Sequence, residues 1–407
     1  MDIALVKDYL SNCLDAKVPA LVKRDLKLRA IKGKATIIIG PRRAGKTSLM
    51  WQTISGYDRH ETAYLDFEDI ALKGITATDA LRVVTELFTE VCGKKAKDVF
   101  LDEIQNLDDW QSFVRTLLDR GYVVYATGSS SKLLTREIAT QLRGRSIAFL
   151  LLPFSFKEYV IAIDAWTDTY RLTDVGMIKN RLSQYLDSGG YPEIVLGKEN
   201  KEKLLGEYRE LIFFKDFVER HGIKSIEVAR FIFNFVTQCF ASEMSVRKVL
   251  NALKSNGVAF GRNTVYDYVE KLQDTMIFFF LSRYSTKVNV RSGWPKKVYL
   301  ADNGLAWRLP YDKGRLLENA VFLELKRRQA LAPLDEIYYY RDSNNHEVDF
   351  IIRDVAVIKE LLQVTYASNR NEIKREETES LQKIGKELKC KNLTVITWDY
   401  DAVQRNP

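Results

Sequence analysis

Apolar residues along the first 150 positions fall into short runs separated by stretches of helical spacing. Five runs read as strands: TIIIG (36–40), TAYLDF (62–67), DVFLDE (98–103), YVVYATG (122–128) and SIAFLLL (146–152). Between them, DALRVVTELFTEV (79–91) and DWQSFVRTLLDR (109–120) carry apolar residues at i, i+3, i+4 and i+7. That spacing gives a helix one buried face. Runs apolar on both faces and separated by helices predict an α/β fold with a parallel sheet covered on both sides. From Pro153 to about Gly222 the pattern is helical, with one break at SGGYPE (188–193). Residues 225–283 read as three helices, RFIFNFVTQCF, SVRKVLNALKSN and NTVYDYVEKLQ, then the apolar segment MIFFFLSRYS. Strands return from 297 onward (KVYLA, EIYYYR, EVDFII, ELLQVTYA, NLTVITW) around a helix near 315–330. The expected divisions are 1–152, 153–222, 223–290 and 291–407.

Composition narrows the class without naming a chemistry. At 407 residues, 46% hydrophobic and 29% charged, the chain is of globular type, neither collagen-like nor wholly disordered. The net charge of +8 is unevenly placed. Residues 1–50 and 281–330 each hold 11 Lys/Arg against 4 acids, which suggests a polyanion partner. Cys13, Cys92, Cys239 and Cys390 make no CxxC pair, and with three scattered His no His/Cys metal site is expected. Free cysteines fit a reducing compartment. The longest apolar runs, IAFLLLPF and MIFFFL, fall far short of the ~20 residues that span a bilayer. A soluble, cytoplasmic protein without a membrane partner is expected.

The chemistry is concentrated after the first strand. Gly40, Pro41, Arg42, Arg43, Ala44, Gly45, Lys46 and Thr47 match the pattern GxxxxGK(S/T), and Ser48 follows in the helix KTSLMWQTI. Glycines let such a loop wrap so that backbone N–H groups face phosphates, and the helix N-terminus adds positive potential. Lys46 is placed for the β/γ-phosphates, and the Thr47 hydroxyl for Mg²⁺. A second carboxylate on the metal side is needed at a strand end. The run Val99-Phe-Leu101-Asp102-Glu103 supplies it, with Asp102 for Mg²⁺ and Glu103 to polarise a water. ATP and Mg²⁺ are the expected ligands.

The runs GPRRAGKT, VFLDEIQNL, YATGSSSKLL and LRGRSIAFLLLPFSFKEY resemble an AAA+ ATPase. The chain is similar in particular to the prokaryotic and archaeal AAA+ family with a nuclease-like C-terminal domain, through SGGYPE, a winged-helix pattern, and ENAVFLELKRR with EVDFII. The resemblance implies a P-loop core with a helical lid, then a winged helix, then an α/β nuclease-like domain. It implies that Ser129 senses the γ-phosphate. It implies also that Arg145, or Arg143 two residues earlier, is a finger offered to the ATP of a neighbouring subunit. The resemblance also implies a homo-oligomer, with the ring size left open and a hexameric ring one form of it.

Ser245–Lys254 and Arg262–Leu272 have a helix-turn-helix shape, with Arg262, Asn263, Thr264 and Tyr266 at the N-terminal end of the second helix. Major-groove contacts are usually made from such an end. The helix is not basic, holding Lys271 against Asp267, Glu270 and Asp274, so packing against protein is the other use open to it. The basic stretch that follows, with Arg291, Lys296 and Lys297, favours DNA. The last domain resembles a PD-(D/E)XK nuclease, which needs acidic metal ligands and a nearby lysine. Glu318 and Asp349 match, but Gln363-Val364-Thr365 stands where Glu-x-Lys is implied. A degenerate metal site is expected, in a module that docks protein or nucleic acid and does not cut. The function expected is ATP hydrolysis coupled to a DNA-associated module. A slow ATP-dependent switch acting by binding is the alternative, and an ATP-dependent nuclease is third.

Overall fold

Each of the five early apolar runs is a strand: β1 (Ala35–Ile39), β2 (Thr62–Asp66), β3 (Asp98–Asp102), β4 (Val123–Gly128) and β5 (Ser146–Leu150). All pair in parallel in the order β2-β3-β4-β1-β5. The structure, a computed structural model, describes residues 1–18, 21–128, 142, 144–164, 175–197, 199–258, 260–285, 293, 295–309, 312–344 and 346–402. Ser129, Arg143 and Arg291 lie outside the described residues. The chain divides into two units, Met1–Tyr170 with Val195–Gly197, and Arg171–Ile194 with Lys198–Pro407. The stretch 153–222, expected as one lid, is shared between them.

In the first unit the strands β1 and β2 are buried nearly throughout, as a sheet covered on both faces requires. Helix Lys46–Ile54 turns Leu49, Met50 and Ile54 onto Ile38, Phe100 and Tyr125. Phe100 and Tyr125, on neighbouring strands, stack at 4.6 Å, worth about 0.5–1.5 kcal/mol beyond their burial. This packing fixes the C-terminal edge of the sheet, where β1, β4 and β3 end side by side. In such sheets that edge is where ligands sit.

The second unit holds two sheets. Helices Ile226–Gln238, Val246–Ser255 and Arg262–Gln273 accompany an antiparallel sheet of β6 (Ser242–Met244), β7 (Phe278–Ser282) and β8 (Lys296–Leu300), in the order β6-β8-β7. The second sheet, in the order β12-β11-β10-β9, is built from β9 (Asp335–Arg341), β10 (Glu347–Asp354), β11 (Val357–Val364) and β12 (Leu393–Ile396). Helix Arg375–Glu387 connects β11 to its parallel neighbour β12 and buries Leu381 and Ile384 against Val348, Ile351 and Leu361. β8 lies beyond the expected boundary at 290 yet pairs with both β6 and β7. It also meets the helix Lys313–Leu331, whose Phe322 stacks on Tyr299 at 4.1 Å.

SGGYPE has a packing reason. Gly189 has φ +75°, and a Cβ there would overlap the Asp302 carboxylate. Asp302 is buried and accepts from Gly190 N at 2.7 Å and Gly304 N at 2.8 Å. Burial pushes its pKa up to about 7, against the opposing pull of those two N–H groups.

Candidate functional site

The loop after β1 is shaped by two glycines. A Cβ on Gly40 would overlap the Leu151 carbonyl oxygen, so the loop lies flat on the segment leaving β5. Gly45 has φ +94° and opens the helix Lys46–Ile54, a left-handed position that glycine occupies at no steric cost. The free N–H groups of the first helical turn thus face the loop and form an anion-binding end. Pro41 and Ala44 are buried, Arg42 pairs with Glu68 at 3.7 Å, and Arg43, Thr47 and Ser48 are exposed.

Lys46, Thr47, Asp102 and Glu103 come together at the ends of β1 and β3. Lys46 is 5% exposed; its Nζ donates to the carbonyls of Gly40 at 3.2 Å and Pro41 at 3.3 Å, and lies 3.5 Å from Glu103 Oε1. Thr47 Oγ1 donates to Asp102 Oδ2 at 2.7 Å. Glu103 has left-handed backbone (φ +46°), a strain of about 1–3 kcal/mol that functional sites often carry. Burial pushes the Glu103 pKa up, but Lys46, the Gln105 hydrogen bond and Arg42 outweigh it and hold it below its ordinary value. The carboxylate is therefore ionised at neutral pH.

Three supporting side chains were not legible as site residues. Tyr64 OH donates to Asp102 Oδ2 at 2.9 Å, and the Thr127 hydroxyl donates to Oδ1 while accepting from Glu103 N at 2.9 Å. Arg24 lies behind the loop and is 5% exposed. It donates to the Ala44 carbonyl at 2.8 Å, to the Leu152 carbonyl at 2.6 Å, and to Glu158 Oε1 at 3.1 Å. The only sequence signal for it is its place among the basic residues of the N-terminal window. The Thr47 and Asp102 oxygens fit a hard cation such as Mg²⁺, which takes one or two protein oxygens besides phosphate.

Other expected residues fall elsewhere. Arg145 is exposed at the start of β5 and forms an ion pair with Asp119 of its own chain. Arg262 and Asn263 are exposed and Thr264 and Tyr266 half-buried at the start of helix Arg262–Gln273; the Arg262 guanidinium lies over the Tyr266 ring. Lys296 is half-buried, and burial lowers its pKa.

Lys297 requires a correction. It is 3% exposed and points between the two sheets of its unit, where no DNA phosphate reaches it. Its Nζ lies 2.6 Å from Glu347 Oε1, 2.8 Å from Asp349 Oδ1 and 3.1 Å from Glu318 Oε1. Burial pulls its pKa down, but the carboxylates outweigh that and hold it well above the ordinary lysine value. The motif position itself holds Thr365, and the lysine beside Glu318 and Asp349 comes from another element, β8. Lys297 and Tyr299 alternate on one face of β8, and both reach Glu318 Oε1. Among the described residues, no group of three or more His, Cys, Asp or Glu is arranged to hold a metal ion. No described helix is long and apolar enough to cross a membrane.

Residues 32–160 match the family described as an AAA domain; residues 179–314 and 313–406 match two domains of unknown function, DUF8612 and DUF4143. An uncharacterized protein of Methanocaldococcus jannaschii, MJ1544, is 36% identical over 97% of this chain and 89% of its own length. An uncharacterized protein of Haemophilus influenzae is 28% identical over 78% of this chain and 79% of its own. The ORC1 protein of Aeropyrum pernix, solved in complex with DNA, covers 79% of this chain and 93% of that one, at 12% identity and TM-score 0.29. A score so low bears on neither fold nor function. The glycine loop, the parallel sheet order and the match over 32–160 together make the first unit an AAA+ ATPase-like domain, and the chain belongs to the same family as the Methanocaldococcus jannaschii protein.

Proposed function

We propose that this chain binds ATP with Mg²⁺ at the loop Gly40–Ser48 and hydrolyses it. The observation that carries the reading is the 2.7 Å contact of Thr47 with Asp102, beside Lys46 and Glu103. Lys46 holds the β/γ-phosphates, and the N–H groups of the loop and first helical turn complete the cradle. Thr47 and Asp102 hold Mg²⁺, which when bound neutralises charge on the phosphates. Glu103 orients the attacking water and takes its proton. Ser129 reads the γ-phosphate, and Arg145 or Arg143 serves the site of a neighbouring subunit in a ring-like homo-oligomer.

Nucleotide state is coupled to DNA through a winged helix. Helices Val246–Ser255 and Arg262–Gln273 with the β6-β8-β7 sheet have that element order, and Arg262 and Asn263 stand exposed at the helix start. The β9–β12 domain docks protein or nucleic acid and does not cut. Phosphate release from ATP, measured with Mg²⁺ and with EDTA, with and without duplex and single-stranded DNA, tests the reading. Mg²⁺-dependent turnover that DNA alters is expected. A folded protein that neither binds nor hydrolyses ATP overturns it.

A further inference from the structure

A set of buried and half-buried oxygens lies far from the nucleotide loop in sequence. Glu318 comes from the helix Lys313–Leu331, Glu347 and Asp349 from β10, and Gln363 from β11. Phe350 pairs with Leu362 across β10 and β11, so Asp349 and Gln363 stand opposite each other on one sheet face. Gln363 is 7% exposed, and its Oε1 has no hydrogen-bond partner among the described residues. Glu318 and Asp349 have further partners. Tyr299 OH donates to Glu318 Oε1 at 2.6 Å, and Val364 N donates to Asp349 Oδ2 at 2.9 Å.

Carboxylates gathered out of water repel one another and need a cation among them. Mg²⁺ draws its oxygen ligands to about 2.0–2.1 Å and Ca²⁺ to about 2.3–2.6 Å. Here the three carboxylates stand 2.6, 2.8 and 3.1 Å from the Lys297 nitrogen. Those are hydrogen-bond lengths for N⁺–H donors. An ammonium has three such donors; Asp349 Oδ1 and Glu318 Oε1 accept from two of them, and Glu347 Oε1 stands in ion-pair contact. The residues as they stand therefore do not fit the divalent ion that a nuclease-like fold implies.

We propose that the Lys297 ammonium is the resident cation of this cluster, filling the position a divalent metal would take. The lysine belongs to β8 of the β6-β8-β7 sheet, and its partners belong to the next domain in the chain. The charge cluster thus also ties the two sheets together. Nearby links hold the same junction: Arg341 to Glu243 at 2.7 Å, Tyr284 N to the Tyr339 carbonyl at 2.6 Å, and Tyr339 OH to the Pro295 carbonyl at 3.2 Å. The proposal is independent of ATP hydrolysis.

Mn²⁺ binding to the full chain without nucleotide, followed by the loss of the free-ion EPR signal, tests it. Wild type and Asp349→Asn are expected to bind Mn²⁺ alike. Lys297→Met is expected to gain one site, at least tenfold tighter than any in wild type, and adding Asp349→Asn should remove it. A wild-type site that Asp349→Asn abolishes overturns the proposal, as does a folded Lys297→Met protein that gains none. Should Lys297→Met not fold, wild type against Asp349→Asn decides alone, because a difference between them contradicts the proposal and equality supports it.

Discussion

The hydroxyl of Thr47 and the carboxylate of Asp102, 55 residues apart, meet at 2.7 Å. Thr47 belongs to the helix that follows β1, and Asp102 ends β3, with β4 lying between the two strands. The gap is closed because the helix starts at the sheet edge and Thr127, in β4, binds the other oxygen of Asp102. The pair proposed to hold the metal is thus set by sheet order. Preorganisation of this kind avoids reorganisation cost at the moment of reaction.

Arg24 and Glu158 form a buried ion pair that supports the loop from behind. Removing one partner of such a pair leaves an uncompensated buried charge, at about 3–5 kcal/mol. Arg24→Met should therefore lower the urea midpoint of the first unit strongly. The double variant Arg24→Met/Glu158→Leu should recover a large part of that loss, because no charge is then left unpaired. Additive losses would show that the two residues act separately.

Gly189 and Asp302 share a space with no room for a methyl group. Gly189→Ala combines that overlap with an unfavourable backbone angle, and should lower the thermal midpoint clearly. The carboxyl also gives a pH dependence. Its folded pKa, about 7, is raised above the ordinary value of 3.8. Stability from the neutral form is thus complete below about pH 4 and lost as pH rises toward 7. Asp302→Asn should flatten that decline in denaturation midpoints between pH 4 and 7. An unchanged slope would place the carboxyl's titration outside this range.

Arg262 is the exposed cation at the start of helix Arg262–Gln273. If it meets a phosphate, Arg262→Gln should weaken DNA binding and reduce the slope of log K against log salt by about 0.9. Fluorescence anisotropy with a duplex at several salt concentrations measures both. An unchanged slope would assign this helix end to protein packing.

Arg145 pairs with Asp119 within its own chain, an exposed bond worth under about 1 kcal/mol. That is weak enough to exchange for a phosphate across a subunit interface. Arg145→Ala should leave ATP affinity within a few-fold and slow hydrolysis about 10³-fold or more, as removal of a finger does. Full turnover by Arg145→Ala would leave Arg143 as the candidate.

The nucleotide loop and Asp102-Glu103 were legible because their chemistry is local, a spacing of glycines followed by a strand end. Four of the five early strands were legible because burial on both faces makes them continuously apolar, and half-buried β5 because its run is apolar all the same. Arg24, Tyr64 and Thr127 were not, since each joins the site through long-range packing and looks ordinary in its own segment. The three-residue β6 was also missed, being too short for alternation to register. Lys297 misled for a different reason. Its neighbours Arg291 and Lys296 made a basic stretch, whereas period-2 alternation with Tyr299 places it on a buried face where three carboxylates balance it.

In the proposed reaction Glu103 is the base, and Lys46, Thr47 and Asp102 beside it do the binding. Glu103→Gln keeps the shape and removes the proton acceptor. Measured side by side, ATP binding by Glu103→Gln should stay within a few-fold of wild type, while single-turnover hydrolysis should fall about 10²–10⁴-fold. Hydrolysis by Glu103→Gln at the wild-type rate would show that Glu103 is not the base.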